Sequence, residues 1–171
     1  MIKQNLMPPL VLASICAVIA VLLALANDVT EERIAKVRAE KTQNTLTQAF
    51  GEGEYNTVDF ANENVKQTFV KSDGTVIFEI ISSGYNKDSI DLLIGVDENG
   101  ICGIGVVSLT ETTGVGTKVE EASFLERFFG ADTEKIQSID AISGATYSSN
   151  GVKDACALAL SAFEDYTEAD L

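Results

Sequence analysis

Residues 138–160, SIDAISGATYSSNGVKDACALAL, gather Ser143, Gly144, Ala145, Thr146, Ser148 and Ser149 around Tyr147, just ahead of a helical pattern. Small and hydroxylic residues at such a place have two readings. In one, Ser148, Ser149 or Asn150 caps the helix by accepting hydrogen bonds from first-turn amides. In the other, those amides and the positive helix end hold an anion. Gly144 allows backbone conformations closed to other residues, Ala145 takes little space, and Thr146 would offer a hydroxyl beside the anion. On physics alone the capping turn is the default. A second stretch, Glu111-Thr112-Thr113-Gly114-Val115-Gly116-Thr117-Lys118, is a glycine-containing loop. It lacks the G-x-x-x-x-G-K-[ST] spacing that cradles nucleotide phosphates. Within it, Glu111 and Lys118 are either ligand contacts or an ordinary exposed pair.

Composition removes several chemistries. There is no histidine, and Cys16, Cys102 and Cys156 form no C-x-x-C. A zinc site or iron–sulfur cluster held by this chain alone is therefore excluded, as are Ser-His-Asp and Cys-His catalysis. Cys102 and Cys156 either pair, if the domain is exported, or are buried free thiols. Lys3 is the only charged side chain before Asp28, which leaves 11 basic against 26 acidic residues beyond it, a balance of −15. Such a surface repels phosphate backbones and argues against nucleic-acid binding.

The elements that must position these residues follow from hydrophobic pattern. TVIFEII (75–81), SIDLLIGV (89–96) and ICGIGVVSL (101–109) read as strands. A hairpin connection at Asp97-Glu98-Asn99-Gly100 makes them an antiparallel meander, with Val65 to Val70 a possible fourth strand. EEASFLERFFG (120–130) predicts a short helix burying Phe124, Leu125, Phe128 and Phe129 and closed by Gly130. Asn150 to Glu164 predicts a helix, with Val152, Ala155, Cys156, Ala159, Leu160 and Phe163 along one stripe. Strands in one run with helices around them indicate an α+β domain at residues 51–171.

Before it, Leu10 to Ala26 form 17 uncharged residues, at the short end of a membrane span. The rival reading is a cleaved signal peptide, with Lys3 as n-region and Ala24-Leu25-Ala26 as cleavage site. The run is longer than a usual signal core, which favours an anchor at residues 1–27. Cys16 reads as apolar filler, because Ile15 is bulky where a lipidation site needs a small residue. Residues 28–50 predict a juxtamembrane helical stalk with a thin apolar face (Ile34, Val37, Leu46, Ala49, Phe50) and no core role. Arg33, Lys36, Arg38 and Lys41 would favour a cytoplasmic domain by local charge, whereas the signal-like start argues for export. The residues leave this orientation open.

Asp140-Ala141-Ile142-Ser143-Gly144-Ala145-Thr146 follows the D-x-x-[ST]-G-A-[ST] pattern at which a flavin transferase esterifies FMN, through its phosphate, to the last residue. With this turn, the N-terminal span, the meander and the Glu111–Gly116 loop, nearly the whole chain resembles the G subunits of Rnf ferredoxin:NAD oxidoreductase complexes. It is similar also to their homologues, the C subunits of sodium-pumping NADH:quinone oxidoreductases, though its short length is nearer the Rnf type. It departs from the family pattern at Thr113, commonly Pro, at Val115, commonly Leu, and at Ser148, frequently Thr.

The resemblance implies an FMN-binding α+β domain with FMN covalently bound at Thr146. It places Asp140, Ser143, Gly144, Ala145, Ser148, Ser149, Glu111, Thr112, Thr113, Gly114, Val115, Gly116 and Lys118 around the cofactor or its attachment motif. Tyr147 either shields the flavin or packs on the last helix. The resemblance further implies a single-pass membrane protein with its flavin domain extracytoplasmic. Its partners would be other Rnf-type subunits, namely the membrane-embedded iron–sulfur pair of A and E types and the D-type flavoprotein, in a complex coupling electron flow to ion export. Such a chain relays electrons and has no substrate of its own. The other readings are an independent extracytoplasmic flavoprotein and a non-redox tethered binding or scaffold domain. A pilin-like structural role is disfavoured by the lack of an early glutamate in the apolar start.

Overall fold

A computed structural model describes residues 7–60 and 62–169; Lys3, the n-region residue of the signal-peptide reading, lies outside them. Helix α1 runs Met7–Phe50. Pro8 and Pro9 fall in its first turn, where a missing amide breaks no helical bond. It contains an 18-residue window of mean hydropathy 2.8, long and apolar enough to cross a membrane. The hydroxyls of Ser14 and Thr30 turn back to the carbonyls of Val11 and Ala26, at 2.8 and 2.7 Å.

The chain divides into two compact units after Lys41. Residues Thr42–Phe50, the last turns of α1, belong to the second unit, with the sheet. Leu46 is fully buried with Phe69, Ile77, Leu93 and Val107, and Phe50 and Tyr55 pack on this cluster. The end of this helix is thus a core element, which the sparse apolar stripe did not suggest. The reason lies on the opposing sheet. A Cβ added at Gly105 would sit 2.6 Å from Thr45 Cγ2, and one at Gly103 2.8 Å from the Phe50 ring. Side-chain-free strand positions let a helix with small residues approach closely. Gly51, at φ +82°, ends α1, and Lys71 Nζ donates to the Phe50 carbonyl at 2.7 Å.

Five strands come next: β1 (Tyr55–Val58), β2 (Gln67–Lys71), β3 (Val76–Ser82), β4 (Ile90–Asp97) and β5 (Gly100–Leu109). They form an antiparallel meander in sequence order, so the expected α+β class holds. The polar strand β1 carries no apolar alternation and was not foreseen. β3 and β4 are apolar almost throughout because both faces of the sheet are covered. Ile77, paired with Gly95, faces the α1 side; Phe78, paired with Ile94, faces the larger core. Two buried acids on these strands, Glu79 and Asp91, are met by Lys66, which is ion-paired to Glu79 and lies 3.9 Å from Asp91.

The larger core joins Phe78, Ile80, Leu92, Ile94 and Val96 to α2 (Ala122–Leu125), α3 (Thr133–Ser138) and α4 (Thr146–Ala169). Val152, Ala155, Cys156 and Ala159 of α4 are fully buried, as their spacing predicted. Cys156 sits in this core, where burial pushes its thiol well above the ordinary value, while Cys102 is exposed. Both are free thiols. The predicted helix over 120–130 is broken by Glu121, which is extended (φ −64°, ψ 131°). It becomes α2 flanked by 3-10 turns at Gly116–Glu120 and Glu126–Phe128. Phe124, Leu125 and Phe128 are buried as expected, but Phe129 is exposed beyond the last turn. Gly130 (φ +60°) reverses the chain and donates its amide to the Ile101 carbonyl at 2.8 Å.

Candidate functional site

Helix α4 begins at Thr146, four residues before the predicted start. Ser148, Ser149 and Asn150 therefore lie inside its first turns and do not cap it. The cause is a compact turn ahead of the helix. Gly144 adopts φ +82°, the Ala145 amide donates to the Ile142 carbonyl at 2.9 Å, and the Ser149 amide donates to the Ala145 carbonyl at 2.9 Å. The Ile142 amide donates to the buried Ser149 hydroxyl at 3.0 Å. Lys153, one turn on, donates to the carbonyls of Gln137 and Ile139 at 2.9 and 3.0 Å and ties down the approach to the turn. Helical hydrogen bonding starts at the Ser149 amide, so the amides of Thr146, Tyr147 and Ser148 precede the ladder at the positive helix end.

The hydroxyls of this turn separate into two sets. Ser148 and Ser149 are buried and engaged in the structure, whereas Ser143 and Thr146 differ from them in burial or bonding: Ser143 is exposed, and Thr146 borders a cavity. The partner of Ser148 is Glu111, which accepts its hydroxyl hydrogen bond at 2.6 Å. Glu111 is itself buried. Its carboxylate also accepts from the Ser89 hydroxyl and from the amides of Asn86 and Tyr85, at 3.1 and 3.3 Å. Burial by itself would push this carboxyl up. The hydrogen bonds from Ser148, Ser89, Asn86 and Tyr85 outweigh it and hold the group below the ordinary value of 4.5. One ionised side chain thus ties three segments together: the β3–β4 loop, the start of the 111–116 loop and the first turn of α4.

The 111–116 loop closes on itself through the Thr112 carbonyl, which accepts from Val115 and Gly116 at 3.1 and 2.9 Å. Gly116 is required by close approach: a Cβ there would lie 2.7 Å from Glu111 Oε2 and 2.8 Å from Ser148 Oγ.

Between these segments lies that cavity, of about 320 Å³, within the range of small-molecule sites. Of the residues singled out from the sequence, Glu111, Thr112, Val115, Gly116, Gly144, Ala145, Thr146 and Ser148 line it. Asp140, Ser143, Thr113, Gly114 and Lys118 lie outside the lining, and Ser149 lies beneath the turn. The exposed Glu111–Lys118 pair is not formed, since Glu111 is buried among hydroxyl and amide donors. Tyr147 does not pack into the core of α4; it is exposed and contacts Tyr85. Tyr85 and Ser89 were missed. Their only sequence signal was a polar stretch, SSGYNKDS (82–89), that reads as a plain connection between strands.

A threonine hydroxyl at a helix N-terminus, bordering a cavity walled by a glycine loop, defines an α+β ligand-binding domain suited to a phosphorylated ligand. Residues 84–161 match the FMN-binding domain family. The chain is also 32% identical over 143 residues to the G subunit of the ion-translocating oxidoreductase complex of Cereibacter sphaeroides. That similarity covers 75% of this chain and 65% of the relative's length. The residues present fit FMN on structural grounds. The cavity has ligand size, the first-turn amides of α4 suit a phosphate, and Gly144 and Gly116 put no side chain of their own into it.

Proposed function

We propose that this chain carries FMN esterified to Thr146 and serves as an electron-relay component of a membrane-bound, Rnf-type ion-translocating oxidoreductase. The observation that carries the reading is the position of Thr146. It is the first residue of α4, on the border of the cavity, in a turn whose buried serine hydroxyls are already engaged. Ester formation joins Thr146 Oγ1 to the flavin phosphorus. The hydroxyl proton and a leaving group on phosphorus depart, so the net addition is one FMN less one water. A flavin transferase supplies the activated flavin and the catalysis of its transfer. When bound, the flavin ring supplies the redox chemistry.

This chain's own contribution is placement. The α4 amides stabilise the phosphate, Glu111 holds the surrounding segments in register, and the tether keeps the local concentration of cofactor high whatever its intrinsic affinity. A covalent link is useful where no FMN pool replenishes a lost cofactor. That agrees with an extracytoplasmic domain held by the apolar part of α1 as a single-pass anchor. The partners in this reading are the membrane-embedded iron–sulfur proteins and the second flavoprotein of the complex.

The test is intact mass and ultraviolet-excited fluorescence of the denatured protein, wild type and Thr146→Val, purified from its native membrane. The expected result is one FMN less water on wild type and none on the variant. Unmodified wild type from a host possessing the transferase overturns the tether. Co-purification with multi-span iron–sulfur proteins supports the complex; isolation alone, fully flavinylated, supports an independent flavoprotein.

A further inference from the structure

Residues 139–144 lead from α3 to the start of α4 and belong to no helix or strand. Along them Asp140, Ser143 and Gly144 are exposed, whereas Ile139 and Ile142 pack half-buried on the larger core. Apolar contact is non-directional and leaves a chain free to slide, so the register of this stretch has to come from hydrogen bonds. Two side chains of α4 supply them. The Ser149 hydroxyl accepts from the Ile142 amide at 3.0 Å, and the Lys153 ammonium donates to the Ile139 carbonyl at 3.0 Å. Ser149 and Lys153 stand four residues apart (153 − 149) and so share one face of α4. The stretch therefore runs antiparallel to the first turns of the helix, held by one rung toward each end.

The Lys153 ammonium also donates to the Gln137 carbonyl, at 2.9 Å. Gln137 lies in the last turn of α3 and Ile139 is its C-cap, so both carbonyls are among those a helix end leaves without an internal partner. Of α3, only Ile136 is buried, which gives this short helix little apolar area to hold its own end in place. Both acceptors belong to the main chain, so what Lys153 fixes is the path of the backbone. The attachment motif runs from Asp140 to Thr146, and Lys153 stands outside it. It nevertheless sets the point from which the motif departs.

We propose that Lys153 is a positioning residue for flavin attachment: it holds residues 139–145 in the conformation that a flavin transferase grips, with the exposed Thr146 following. This rests on the reading that Thr146 carries FMN. It adds a requirement that the linear motif does not contain, because the acceptor is then a folded surface and not a string of residues. An enzyme that grips this segment binds only the molecules in which it is ordered, and a smaller competent fraction raises the apparent dissociation constant in proportion. Once gripped, the segment is ordered with or without Lys153, so the transfer step itself is unaffected. Loss of the clamp therefore shows in KM for the acceptor protein and leaves kcat as it was.

The experiment uses full-length protein in detergent, expressed in a host without the transferase and then given the transferase and its activated flavin donor. The forms compared are wild type, Lys153→Met, Lys153→Arg and Lys135→Met. Methionine keeps an unbranched stem and good helix propensity but has no N–H to donate, whereas arginine keeps the donors. Lys135 is the matched control, a lysine of α3 whose ammonium donates to the Phe129 carbonyl, ahead of that helix, at 3.1 Å. Initial rates of flavin incorporation are measured against acceptor concentration, and native amide exchange is followed on the same forms. Lys153→Met should raise KM about tenfold, the worth of hydrogen bonds to a charged group, with kcat unchanged. Its amide exchange should quicken at residues 139–145 and stay as in wild type along β3 and β4. Lys153→Arg and Lys135→Met should behave as wild type in both measurements. A wild-type KM in Lys153→Met, or a lower kcat with faster exchange throughout the sheet, would overturn the clamp while leaving the tether intact. A wild type that takes up no flavin overturns the tether and this proposal with it, so the two failures are distinguishable.

Discussion

The α1 contact and the cavity wall, on the same domain, are held by different physics. At the first, the last turns of α1 meet β-strand glycines through Thr45, Ala49 and Phe50 and bury Leu46 among strand side chains, an apolar contact whose strength grows with area. At the second, one buried carboxylate gathers four donors from the surrounding segments. Apolar packing weakens by degrees when an atom is removed. A buried polar hub fails nearly all at once, because each lost acceptor strands a donor in a place with little access to water. The cavity wall therefore depends on the acceptor at position 111, while the α1 contact loses stability in proportion to the apolar area removed from it.

The largest expected effect comes from the polar side. Glu111→Ala should cost about 3–5 kcal/mol, since four donors lose their acceptor at roughly 1 kcal/mol or more each. Its urea midpoint should fall sharply and the proposed flavin attachment at Thr146 should drop with it, because the first turn of α4 loses its tie. A variant of near wild-type stability with full flavin loading would show that the segments hold without the hub.

On the apolar side, Leu46→Ala should cost about 2–3 kcal/mol, in the lower part of the range for buried leucines. The same denaturation series reads this loss, and the proposed tether should stay complete below the melting transition. Loss of flavin in this variant would mean that the two regions are coupled, against the comparison.

The smallest effect is a pH dependence confined to the hub. Glu111 is held below the ordinary glutamate value of 4.5 in the folded state, so the unfolded state binds the proton more readily. The stability this contributes is present above 4.5 and is lost as the pH falls through the depressed folded value. Wild type should therefore lose stability with falling pH below 4.5 more steeply than Glu111→Gln, as read from urea midpoints at stepped pH. Parallel curves would remove Glu111 from the acid response.

How much of this was visible beforehand depends on whether the signal was local. Periodicity along β3, β4 and β5 and the stripe from Val152 to Ala159 declared their own elements, because alternation and the 3.6-residue repeat are properties of consecutive residues. The turn at Gly144 and Thr146 was visible for the same reason: it needs small and hydroxylic residues at adjacent positions. β1 was not visible, since YNTV is a polar edge strand with no buried alternation. The core role of Leu46 was hidden because its partners Phe69, Ile77, Leu93 and Val107 lie on separate strands far along the chain.

Local pattern alone was enough to specify the α+β meander, the apolar helix at the start and the hydroxyl turn with Thr146 at its end. Packing in three dimensions settled which serines are engaged and which are not. Ser148 and Ser149 are the same residue type as Ser143, yet the helix begins early enough to turn the first two inward, one onto Glu111 and one onto the Ile142 amide. Packing likewise set Tyr85 beside Tyr147, across 62 residues of chain (147 − 85). Hydrogen-bond satisfaction of a buried carboxylate is a condition on groups gathered in space, and no window of sequence contains all of them.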